Sequence, residues 1–114
     1  MIRLPAERAR DALLRAMEPI AAPFAMIAAT SEDWASGLFY GARHRLAIRI
    51  EGDDQGARAM RLQAELPEID LPMRRGFVAD IQVSRLDGTA SILAIEALTI
   101  DEASEINRAA RRAG

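Results

Sequence analysis

Between Ala6 and Met17 the apolar residues fall three and four apart. Ala6, Ala9, Leu13, Ala16 and Met17 line one side of a helix, with Arg8, Asp11 and Arg15 away from them. Pro5 suits the first helical turn, Glu7 sits near the positive end of the dipole, and Pro19 sets an expected end at residue 18. The period then changes from about 3.6 to 2. Pro23 to Ser31 is short, apolar and bounded by turn formers, and reads as a strand. Alternation from Trp34 to Tyr40 and again from His44 to Ile50 predicts two more strands.

Residues 51–56 break the pattern. Asp53 or Asp54 is placed to cap a second helix over Gln55 to Leu66, stopped by Pro67, with Ala59, Met60 and Leu66 on its apolar stripe. Ile69 to Leu71, between prolines, fits a short edge strand at most. Two alternating runs follow, Phe77 to Leu86 and Thr89 to Leu98, on either side of Asp87-Gly88. That dipeptide suits a type I′ turn, whose central residues both need positive φ. A last helix is expected from Asp101 or Glu102 to about Arg112, acidic at its start and basic at its end. Ile100, Ala103, Ile106 and Ala110 would form its apolar stripe.

The expected order is α-β-β-β-α-β-β-α. Hairpins dominate it, so residues 1–114 read as a single α+β domain: a mostly antiparallel five-stranded sheet with helices packed on one face. The open face then becomes the place to look for function. A Gly41-Ala42 turn would place Trp34, Leu38, Tyr40, Arg43, Arg45 and Arg49 together on it, leaving Phe39, His44, Leu46, Ile48 and Ile50 on the other side. A register shifted by one residue would send Trp34, Leu38 and Tyr40 into the core with Leu46, Ile48 and Ile50 instead, and the arginines would stand with Phe39. Turn chemistry favours the first register; hydrophobic matching favours the second. In the Asp87-Gly88 hairpin, a two-residue turn puts Phe77, Ala79, Ile81, Val83, Ile92, Ala94 and Leu98 on the core face, with Asp80, Gln82, Leu93 and Ile95 on the open one.

Composition narrows the chemistry. The 114-residue chain is 50% hydrophobic and 28% charged, a globular balance. It has no cysteine, which removes disulfides, thiolate nucleophiles and zinc–thiolate sites. All its basic side chains except His44 are arginine, and lysine is absent, so lysine Schiff bases and P-loops are excluded too. The arginine and alanine richness points to a GC-rich bacterial genome before it points to nucleic acid, and the formal net charge of −2 argues against a DNA-binding domain. No segment has the roughly 20 apolar residues of a membrane span, and the N-terminus lacks a signal-peptide run, so a cytoplasmic protein is expected.

His44, the only histidine, has no second histidine at metal-ligand spacing. It reads as a satisfied core histidine. A general base would need a carboxylate, and Glu96 on the expected core face is the one to consider. No catalytic residue, metal or cofactor is assigned. Trp, Tyr, Leu and Arg on one open face are the residue types of an interface. The leading expectation is a non-catalytic interaction or structural protein, self-associating as a homodimer or docking another protein through Trp34, Leu38, Tyr40, Arg43, Arg45 and Arg49. The alternative is a small-molecule binding module, with an apolar pocket and arginines for an anionic ligand.

Overall fold

The computed structural model describes residues 4–86 and 91–104. Within them the order is α1 (Ala6–Ala21), β1 (Phe24–Ser36), β2 (Phe39–Ile50), α2 (Gln55–Glu65), a 3₁₀ turn (Leu66–Glu68), β3 (Gly76–Arg85) and β4 (Ile92–Asp101). The four strands form one antiparallel sheet in the order β1-β2-β4-β3. It is an α+β fold, but the sheet has four strands where the alternation predicts five.

The discrepancy lies in the turn. Gly37 and Gly41 each offer a glycine at the first central position of a two-residue hairpin loop, so turn chemistry alone does not choose between them. The chain turns at Gly37-Leu38, with Gly37 at φ 58° as a type II′ turn requires. This merges the first two predicted strands into β1 and leaves β2 unbroken. The hairpin then pairs twelve residues of each strand, from Phe24↔Ile50 to Ser36↔Phe39. Gly41 serves a different purpose. It lies where β2 meets β4, and a Cβ there would run into the Thr99 carbonyl oxygen.

The second hairpin departs from expectation through its loop. Arg85 pairs with Leu93, not with Ala90 as an Asp87-Gly88 two-residue turn demands. The slip is three residues, an odd number, so it exchanges the faces of β4. Leu93 and Ile95 are buried against the helices, while Ile92, Ala94 and Leu98 lie on the open side. Ile81 and Val83 stay on the core side as expected, but a bulge between Val78 and Asp80 reverses the parity before it, so Val78 packs on the core and Phe77, expected there, lies on the open side. Residues 87–90 lie outside the described residues, as do 105–114, on which most of the expected last helix falls. At its expected start, Asp101 ends β4 instead.

Both helices pack on the same face. α1 contributes Leu13, Ala16, Met17 and Ala21, and α2 with the following turn contributes Ala59, Leu62 and Leu66. They meet Leu46, Ile48, Ile50, Ile81, Leu93, Ile95 and Ala97 of the sheet. Of the stripe expected for α2, Ala59 and Leu66 are buried, but Leu62 takes the place of Met60, which is 59% exposed. α1 runs through Pro19 to Ala21. Pro19 has no N–H to give the Arg15 carbonyl, but the Ala22 N–H still closes the last turn on the Glu18 carbonyl. Arg58 ties the layers together: its guanidinium donates to the carbonyls of Ala21, Ala22 and Glu51, a cation at the negative end of α1. Ile69 to Leu71 is not a strand. Leu71 is buried and Ile69 packs on the core, so this segment is held as irregular chain.

Candidate functional site: the open face of the sheet

Among the described residues no helix lies on the face of the sheet away from α1 and α2. Strand parity fixes what it shows. Reading across β1, β2, β4 and β3, one row is Trp34, Gly41, Ile100 and Phe77. The next is Glu32, Arg43, Leu98 and Asp80, then Thr30, Arg45, Glu96 and Gln82. After these comes a row of small residues, Ala28, Ala47, Ala94 and Ser84. Arg49 follows, between Ala25 and Ile92. Beyond the first row, Phe39 stands beside Ser36 at the hairpin end. The face therefore has an aromatic end, a charged middle and an alanine end.

The aromatic end leaves much apolar surface in water: Phe39 is 38% exposed and Phe77 is 44% exposed. Ile100, between Gly41 and Phe77 in its row, is 4% exposed. In the charged middle, Arg45 and Glu96 form a cross-strand pair, Nε to Oε1 3.6 Å, with both side chains well exposed. Such a pair contributes at most about 1 kcal/mol. Arg43 stands directly opposite Glu32.

Of the residues singled out in the sequence, Trp34, Arg43, Arg45 and Arg49 share this face. Leu38 is at the hairpin tip, 51% exposed. Tyr40 is not with them. An unbroken β2 turns it to the helix side, where its hydroxyl donates to the Ala103 carbonyl. The Ser104 hydroxyl, in turn, accepts from the Tyr40 N–H and donates to the Tyr40 carbonyl. Phe39 takes the place expected for Tyr40. Phe77, expected on the core face, is the residue the sequence reading missed; Phe39 stands with the arginines, as the register shifted by one residue expects. The signal for Phe39 was present: parity carried without a break from Ile50 back through Arg43 puts it beside the arginines.

His44 and Glu96 do not meet. His44 pairs with Ala97 and faces the helices, while Glu96 faces outward beside Arg45. The imidazole is fully buried between two hydroxyls, with Nδ1 2.7 Å from Ser31 Oγ and Nε2 2.9 Å from Thr99 Oγ1. One proton arrangement satisfies every group. Arg10 donates to Ser31, Ser31 donates to Nδ1, Nε2–H donates to Thr99, and Thr99 donates to the Ala42 carbonyl. This arrangement needs a neutral ring. Burial first, and the Arg10 charge second, lower the His44 pKa from 6.5 to about 4. The histidine is a structural clamp joining β1, β2 and β4.

No group of three or more His, Asp or Glu that could hold a metal ion occurs among the described residues. No helix among them is long and apolar enough to cross a membrane. Compared with protein-family models, curated proteins and solved structures, the chain matches none.

Proposed function

We propose that this is a non-catalytic interaction protein that associates with a second copy of itself through the open face of the sheet. The observation that carries this reading is the exposed aromatic end, Phe39 near Trp34 on one side and Phe77 across Gly41 and Ile100 on the other, on a face that α1 and α2 leave uncovered. Exposed aromatic surface of this kind is what interfaces are built from.

Three of the four rows across the face are also self-complementary. A two-fold axis along the strands, between β2 and β4, lays β1 over the partner's β3 and β2 over its β4. Trp34 then faces a second Phe77, Arg45 faces a second Glu96, and Ala47 faces a second Ala94. In these three rows aromatic meets aromatic, cation meets anion, and small meets small; in the remaining row Glu32 faces a second Asp80, a like-charge contact that Arg43 beside Glu32 offsets. Four strands about 4.8 Å apart and nine residues long give roughly 600 Å² per copy, hence roughly 1,200 Å² in a pair, the lower end of the range for specific interfaces.

Two sets of variants test this. Phe39→Ser with Phe77→Ser is expected to give a folded monomer, since neither side chain belongs to the core. Arg45→Glu and Glu96→Arg are each expected to weaken the pair, and together to restore it. Mass by light scattering reads both. Unchanged association in the phenylalanine variant would sink the proposal.

A further inference from the structure

The helix layer carries a second feature. A cleft of about 580 Å³ runs between α1 and the segment before β3. That volume falls within the range of small-molecule sites. Arg8 and Arg15 reach it from α1, seven residues apart and so on the same side of the helix. Arg74 and Arg75 reach it from the opposite wall. One acidic residue, Asp11, joins these four arginines. Arg75 is paired with Glu102, Nε to Oε1 3.7 Å, whereas Arg8, Arg15 and Arg74 form no ion pair among the described residues. Leu4, Ala12, Ala16, Pro19 and Pro72 supply the apolar part of the lining.

The far wall is anchored. Leu71 is buried, Met73 packs on the core, and the Glu102 N–H donates to the Arg75 carbonyl. Pro72 and Arg74, alternating with the buried Leu71 and half-buried Met73, are exposed. Four arginines against one aspartate make this lining locally positive on a chain whose formal charge is −2. Guanidinium groups hold phosphates and carboxylates through paired N–H donors.

We infer that the cleft between α1 and residues 72–75 binds an amphiphilic anion, a phosphate or carboxylate head on an apolar body. The head sits among Arg8, Arg15 and Arg74, and the body lies on Ala12, Ala16, Pro19 and Pro72.

Calorimetric titration of the full chain with decyl phosphate, decanoate and inorganic phosphate, each kept below any aggregation concentration, tests this. Both decyl compounds are expected to bind saturably, one per chain, with inorganic phosphate weaker by about tenfold or more for want of the apolar contact. Whichever decyl compound binds more tightly names the preferred head. Arg8→Ala with Arg74→Ala is expected to weaken both by about tenfold or more. Phe77→Ser, on the other face, is expected to leave them unchanged. The melting temperature shows whether the arginine variant is folded; Arg8→Gln with Arg74→Gln is the gentler replacement. Absence of saturable decyl binding, or equal binding by the arginine variants, would overturn the inference. So would an oligoglutamate peptide that binds more tightly than either decyl compound, which would make the cleft a peptide site.

Discussion

His44 shows how one residue can be chemically distinctive yet structural. The sequence marks it as the only histidine on an aliphatic strand face, and that face is where it lies. Its partners Ser31 and Thr99 could not be named from sequence, because they come from different strands and their meeting depends on register. Its titration has a consequence. The unfolded imidazole titrates near 6.5 and the folded one near 4, so between those values the unfolded chain binds more protons. Stability from this source is therefore complete above pH 6.5 and lost as pH falls toward 4, by about 3 kcal/mol in all. Urea unfolding at a series of pH values checks this. His44→Gln is expected to flatten the part of the curve between pH 6.5 and 4; an unchanged slope would mean the imidazole stays accessible to protons. At Arg58, replacement by Ala removes charge-assisted bonds to three carbonyls, two of them closing α1, and is expected to cost about 2–3 kcal/mol. Arg58→Lys is expected to recover only part of that in the same unfolding measurement, because an ammonium does not reproduce the planar fork.

Among the elements, periodicity located α1, α2 and the hairpin-rich sheet, because those signals are local. It failed where two local signals were equivalent or where a loop hid its length. Gly37 and Gly41 are interchangeable as turn residues. What separates them is non-local: a turn at Gly37 allows twelve paired residues, and Gly41 is needed where β2 and β4 approach. Gly41→Ala is accordingly expected to destabilise by about 1–3 kcal/mol, as overpacking against backbone does. Gly37→Asn, with open space around the site and a residue type that tolerates positive φ, is expected to cost less. Thermal unfolding of the two variants compares them directly, and equal losses would contradict the different parts assigned to the two glycines. The same non-locality explains β4. A slip of three residues at the loop exchanged Leu93 and Ile95 for Ile92, Ala94 and Leu98, and with that change Glu96 left the core and joined Arg45.

At the scale of the molecule, an open sheet face with arginines was readable in the sequence; its completeness was not. Trp34, Arg43, Arg45 and Arg49 needed only strand parity, whereas Phe77, expected on the core face, needed the bulge between Val78 and Asp80 to face outward and the strand order β1-β2-β4-β3 to stand in one row with Trp34. The cleft beside α1 was harder still, since Arg8 and Arg15 look like an ordinary solvated helix side until residues 72–75 are laid against them. The central proposal concerns the open face, and sedimentation equilibrium of the purified chain over a range of concentrations tests it most directly. The expected result is a mass of twice the 12.5 kDa chain, falling toward the single-chain mass on dilution and throughout in the Phe39→Ser, Phe77→Ser variant. A single-chain mass at every concentration would contradict it.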